Sequence, residues 1–111
     1  MIAYLGLGSN LGSDKTQNIR QAIHLINEQA GRVLACSSFI ESTPWGFCSD
    51  NMFLNAVIAI DTPHSPHKLL DITQSIERGM GRTHKTIDQD YTDRIIDIDI
   101  LLYGNTCIND S

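Results

Sequence analysis

Within positions 95–103, Ile95, Ile96, Ile98 and Ile100 surround only two charged residues, Asp97 and Asp99. β-Branched side chains at that density are stiff in a helix and suit a pleated surface, so the run reads as a strand. Side chains alternate along a strand, which predicts Asp97, Asp99 and Leu101 on one face and Ile96, Ile98, Ile100 and Leu102 on the other. The two acids then have Cα atoms roughly 6 to 7 Å apart, within reach of one divalent cation or a closely spaced pair. Adjacent anions repel unless positive charge lies between them. The same pattern also describes the wet face of an antiparallel strand, which needs no metal. Two features favour a metal: the acids are the only charges in nine residues, and Arg94 precedes Asp97 by three. A third is that polar signals elsewhere fall where ligand loops are expected. Magnesium takes one or two carboxylates and completes its shell with water and phosphate oxygens, so the expectation is a magnesium–nucleotide site.

The remaining segments supply the elements such a strand needs as neighbours. Residues 2–7 form a short apolar run ending at Gly8, which reads as a strand followed by a turn into a helix. Gly6, Gly8 and Gly12 match neither common phosphate-loop spacing, so a tight strand-to-helix turn is favoured over a phosphate loop. Ser13 or Asp14 can cap the helix, which buries Ile19, Ala22, Ile23, Ile26 and Ala30 and stops at Gly31. Residues 32–41 read as one strand with a polar break at Ser37 and Ser38. The loop that follows carries Thr43, Pro44, Gly46 and the only tryptophan, Trp45, equally readable as a lid on the core or as a ligand contact.

Residues 52–60 form the cleanest strand, with Leu54, Ala56, Ile58 and Ile60 on one face and Phe53, Asn55, Val57 and Ala59 on the other. Asn55 can offer a donor and an acceptor to a heterocycle while Phe53 offers a ring, although a buried amide is often only structural. Ser65 caps and Pro66 starts a second helix, with Leu69, Ile72, Ile76 and Met80 inward and Gly79 and Gly81 at its close. Gln74 and Glu77 share another face, where simple surface polarity would account for them. The segment 82–94 is long for a loop and holds Arg82, His84, Lys85 and Arg94, partly offset by Asp88, Asp90 and Asp93. Strand, helix, strand, strand, helix, strand is the βαββαβ order of an α+β ferredoxin-like sandwich, an antiparallel sheet with both helices on one face. Asp97, Asp99, Phe53 and Asn55 are expected together on the other face.

The 111 residues are enough for one domain, and 41% hydrophobic with 19% charged residues is ordinary for a soluble protein. No apolar run is long enough to span a membrane and no leader pattern precedes the first strand, so a cytoplasmic location is expected. Cys36, Cys48 and Cys107 are odd in number and widely spaced, which supports neither a disulfide framework nor zinc. A net charge of −5 argues against a general nucleic-acid surface.

Taken together, several short motifs resemble the 6-hydroxymethyl-7,8-dihydropterin pyrophosphokinase family. They are Gly8-Ser9-Asn10-Leu11-Gly12, Thr43-Pro44 with Gly46, Phe53-Leu54-Asn55-Ala56, Gln74 with Glu77, Gly81-Arg82, and Arg94 followed by Asp97, Asp99 and Leu101. Each alone is weak; their order and spacing are specific. The resemblance implies transfer of pyrophosphate from ATP to the pterin hydroxymethyl group in folate biosynthesis. It assigns two magnesium ions to Asp97 and Asp99, and the pterin to Thr43, Pro44, Trp45, Phe53 and Asn55. Gln74, Glu77, His84 and Ile100 go to the nucleotide, and Arg82 and Arg94 to the transferring phosphates. ATP and the pterin are the expected partners, with no nucleic acid, no membrane and a monomeric chain. Family members usually carry tryptophan and then proline before the second arginine, where this chain has Tyr91, Thr92 and Asp93. The single domain is also expected to lack the family's C-terminal segment, which bears a Pro-His pair, an arginine and a phenylalanine. Two rival classes share the fold, a binding module without turnover and an RNA-binding sheet, but the latter calls for a second exposed aromatic beside Phe53.

Overall fold

The structure, a computed structural model, describes residues 1–9, 14–42, 53–81, 95–104 and 106–107. Its elements run β1 (Ile2–Ser9), α1 (Lys15–Gln29), β2 (Arg32–Cys36), β3 (Ile40–Ser42), β4 (Phe53–Asp61), α2 (Pro66–Gly81), β5 (Asp97–Tyr103) and β6 (Thr106–Cys107). The described strands form one sheet in the order β2-β4-β1-β5-β6, with β3 also on β4, and every pairing is antiparallel. With β2 and β3 counted as one interrupted strand and the short β6 set aside, this is the βαββαβ sandwich that the sequence order implies.

Alternation decides which side of the sheet carries the helices. Ala3, Leu5 and Leu7 of β1, Ala56, Ile58 and Ile60 of β4, and Ile96, Ile98 and Ile100 at β5 are all buried. They meet Ile19, Ala22 and Ile26 of α1 and Leu69 and Ile76 of α2 in one core. The helices start where the sequence places them. The Asp14 side chain caps α1 by accepting the Gln17 N–H at 3.1 Å, and Ser65 Oγ accepts the Lys68 N–H at 3.2 Å ahead of Pro66. Thr73, not foreseen as inward, is fully buried and satisfies its hydroxyl on the Leu70 carbonyl at 3.0 Å.

Three expectations change. β1 does not end at Leu7: Gly8 and Ser9 stay extended because each pairs with β4, as Gly8 with Asn55 and Ser9 with Leu54. The single strand 32–41 is two, and its polar break is functional in the ladder. Ser37 N–H donates to the Val57 carbonyl and Ser37 Oγ accepts the Val57 N–H, both at 2.9 Å, so β4 loses no hydrogen bond across the gap. Leu102 does not face the helices either. The β1–β5 register passes from Leu5 opposite Ile100 to Tyr4 opposite Leu102, so Leu101 is the extra residue of a bulge. Leu102 therefore turns to the open face beside Tyr4, the two being 36% and 40% exposed.

Gly31, between α1 and β2, is held against the end of β4. A Cβ there would lie 2.6 Å from the Asp61 carbonyl oxygen and 2.8 Å from Thr62 Cα, with backbone on both counts. Thr62 is itself fixed, donating its hydroxyl to the Ala30 carbonyl at 2.7 Å. Gly79, inside α2, would meet nothing within 4 Å. The two glycines should thus respond oppositely to alanine. Gly31→Ala should cost about 1–3 kcal/mol through overpacking, and Gly79→Ala should add about 0.5–1 kcal/mol through helix propensity. Urea unfolding measures both; equal stability for the Gly31 variant would mean that the two backbones separate at little cost.

Candidate active site

On the face away from the helices, β1 lies at the bottom of a groove because two of its outward residues have no side chain. Gly8 is paired with Asn55 on one side and Asp97 on the other; Gly6 is paired with Val57 and Asp99. At a strand spacing of ~4.8 Å, the Asn55 and Asp97 backbones stand roughly 10 Å apart across Gly8. The space between them is a cavity of about 250 Å³ lined by Gly6, Leu7, Gly8, Phe53, Asn55, Ala56, Val57, Asp97 and Asp99. Sequence alternation therefore assembles Phe53, Asn55, Asp97 and Asp99 on one face, as expected. The glycine floor is what it misses, since Gly6 reads as one residue of the apolar run and Gly8 as the start of a turn. The signal was present in their spacing, because residues two apart share one face of a strand.

The groove is chemically two-sided. On the β4 side the Asn55 amide donates to the Ile40 carbonyl at 3.3 Å, which turns Oδ1 toward the floor, 3.2 Å from where a Gly8 Cβ would stand. Phe53 brings Cδ1 and Cε1 to 3.6 and 3.9 Å from the same point. A ring edge and an amide oxygen over a bare backbone form a slot suited to a flat polar heterocycle. On the β5 side Asp97 is half-buried and Asp99 exposed, both on the groove face. Carboxylate oxygens are hard donors, and among the described residues lining the groove two carboxylates supply them. Among the described residues no group of three or more His, Cys, Asp or Glu gathers to hold a metal ion. Such a donor set fits magnesium, which leaves much of its shell to water and phosphate, and does not fit a closed zinc site.

Two residues that the resemblance gives to the nucleotide lie along the outer edge of β5. Glu77 Oε2 accepts the Ile98 N–H at 2.6 Å, so Glu77 is a bonded, half-buried group and not a simple surface polar. The Ile100 side chain is in the core. With Ile98 turned outward, ladder alternation turns the Ile100 backbone to the same edge. Gln74, one turn before Glu77 on α2, is exposed. Thr43, Pro44, Trp45, Arg82, His84 and Arg94 lie outside the described residues.

A family model described as 7,8-dihydro-6-hydroxymethylpterin-pyrophosphokinase (HPPK) matches residues 4–109. The chain belongs to this family. The family consists of pyrophosphokinases, kinase-type transferases that use ATP. Over 103 residues the chain is 49% identical to the 2-amino-4-hydroxy-6-hydroxymethyldihydropteridine pyrophosphokinase of Porphyromonas gingivalis, covering 93% of this chain and 69% of that one. It is 40% identical over 104 residues to the Bacillus subtilis protein of the same name, covering 93% of this chain and 60% of that one. The chain thus spans 60–69% of the length of these relatives. A crystal structure of an HPPK-DHPS protein in complex with substrates superposes with a TM-score of 0.75 at 17% identity, over 96% of this chain and 28% of that one. At that identity the likeness concerns the fold, which is that of the HPPK family. Among the described residues no helix is long and apolar enough to cross a membrane.

The acid pair also bears on stability. Two carboxylates ~7 Å apart on one wet face repel by roughly 0.6 kcal/mol in water. Asp97→Asn should therefore leave the metal-free protein as stable as the parent or about 0.5 kcal/mol more so. Urea unfolding in chelator reads this directly, and a loss above 1 kcal/mol would make Asp97 a structural residue instead.

Proposed function

We propose that this chain transfers the terminal pyrophosphate of ATP to the hydroxymethyl group of 6-hydroxymethyl-7,8-dihydropterin, releasing AMP, as a step of folate biosynthesis. The observation that carries this reading is the single groove in which Phe53 and Asn55 face Asp97 and Asp99 across Gly8. A planar heterocycle on the β4 side and a polyphosphate on the β5 side would meet over that floor.

The pterin takes the slot beside Phe53, with its amide-like edge toward Asn55, and Thr43, Pro44 and Trp45 complete the pocket. Its hydroxyl oxygen then attacks the β-phosphorus. An oxygen–phosphorus bond forms, the bond from that phosphorus to the α–β bridging oxygen breaks, AMP leaves with that oxygen, and the hydroxyl proton passes to solvent. Little covalent work falls to the protein, which has to align the reactants and offset the developing charge. Asp97 and Asp99 are the residues that would hold magnesium, two ions in all, which when bound would supply positive charge against the phosphates. Arg82, next in sequence after the last residue of α2, and Arg94, just before Ile95 in sequence, serve the transferring phosphates. Gln74, His84 and the outward backbone edge at Ile100 serve the nucleotide, the role that the resemblance also gives to Glu77.

AMP release from ATP with magnesium and the pterin tests the reading. The parent should produce pterin-dependent AMP, and Asp97→Ala or Asp99→Ala should lower the rate by at least about a hundredfold. ATP binding that needs magnesium, without AMP release by the parent, would leave a binding module in place of an enzyme. Gly8→Ala separates the two halves of the groove. Its new methyl group would crowd Asn55 and Phe53, so pterin affinity should fall about tenfold while ATP affinity stays within twofold.

A further inference from the structure

Among the described residues, no strand covers the outer edge of the acid strand at the position between its two acids. Ile98, which separates Asp97 from Asp99, points its side chain into the core and its N–H away from β1. In an antiparallel ladder a residue whose N–H faces outward has no bond to that partner strand, while its neighbours on either side do. β1 therefore secures β5 at Asp97 and Asp99 but leaves Ile98 unbonded on that side. Among the described residues β6 does not cover the other side, since it pairs there with Leu102 and Tyr103. Without another partner, a backbone N–H beside the core would go unsatisfied.

Glu77 is that partner. It stands on α2 twenty-one residues earlier, and its Oε2 accepts the Ile98 N–H at 2.6 Å, a short charge-assisted bond. The neighbouring Ile76 is buried in the core, so the helix turn that carries Glu77 is itself fixed. A helix anchored in the core thus holds the backbone midway between the two carboxylates.

We infer that Glu77 is a positioning residue for the cation site: its carboxylate pins the Ile98 N–H and so sets the spacing and tilt at which β5 presents Asp97 and Asp99. This rests on the magnesium reading above and deepens it, because the resemblance assigns Glu77 only to the nucleotide. The two roles separate chemically. A nucleotide ligand acts through affinity for ATP at any metal concentration. An anchor acts through the metal requirement, and it needs only an acceptor oxygen, which glutamine also supplies.

Two measurements on the full chain test this, with Glu77→Ala and Glu77→Gln. The first is hydrogen exchange at the Ile98 amide, followed by NMR without metal or nucleotide. Exchange should speed up about tenfold or more in Glu77→Ala, stay near the parent in Glu77→Gln, and not change at core amides such as that of Ile58. An unchanged Ile98 amide in Glu77→Ala would overturn the anchor. The second is the magnesium concentration giving half-maximal ATP binding, by calorimetry. It should rise about tenfold in Glu77→Ala and less than threefold in Glu77→Gln. Equal rises in both variants, or weaker ATP binding at saturating magnesium with no change in metal requirement, would assign Glu77 to the nucleotide and sink the inference. If the parent shows no magnesium dependence that Asp97→Ala removes, the metal reading itself fails, and the exchange result alone then decides whether Glu77 anchors β5.

Discussion

β1 is paired along its whole length with β4 and along most of it with β5, and both faces of the sheet depend on that central position. Toward the helices it contributes Ala3, Leu5 and Leu7, all buried. Toward the open side it contributes Gly6 and Gly8 beneath the cavity. A one-residue slip would move the leucines out and the glycines in, so the burial that stabilises the core also locks the groove floor in register. Floor rigidity comes from backbone bonding on both edges, which leaves glycine's usual freedom without effect here. The core and the site are two sides of one strand register.

The walls of the groove follow different rules from its floor. Asp97 and Asp99 lie close enough to repel, so their proximity does not itself stabilise the strand that bears them. It is stable because Ile96, Ile98 and Ile100 drive the other face into the core. Conflicts of this kind, in which local chemistry works against stability and packing offsets it, are characteristic of functional positions. Asn55 shows no such conflict, since its amide already donates to the Ile40 carbonyl on β3. That bond ties its orientation to the edge strand, which in turn depends on the serine bridge that Ser37 makes to Val57.

What the sequence made legible is what depends on alternation. The faces of 52–60 and of 95–100, the caps at Asp14 and Ser65, and the polar break at Ser37 and Ser38 all follow from local spacing and side-chain chemistry. Phe53, Asn55, Asp97 and Asp99 could be placed on one face for the same reason. The bulge at Leu101 could not, because its extra residue is an ordinary leucine whose place is set by pairing with a strand nearly a hundred positions away in the chain. Gly8 and Ser9 read as a turn, and only two-sided pairing keeps them extended. Glu77 looked like a surface residue for a similar reason: its partner is a main-chain N–H, which carries no mark in sequence.

The two floor glycines do different work, and the bulge is what separates them. Leu101 lies over Gly6, with Cδ1 3.4 Å from where a Gly6 Cβ would be, so the space left by that missing side chain is taken up by the leucine. Gly8 has no such cover. The nearest side chains to its empty Cβ position are Asn55 and Phe53, both groove walls. By turning Leu102 outward beside Tyr4, the bulge also makes the open face apolar beyond Gly6 and confines its polar chemistry to the stretch between Gly6 and Gly8. A ligand lying across the sheet is therefore bounded by Leu101 at one end and by the Asn55 and Asp97 walls at its sides. Within that frame, Gly8 is the floor position whose Cβ space is bordered only by the groove walls.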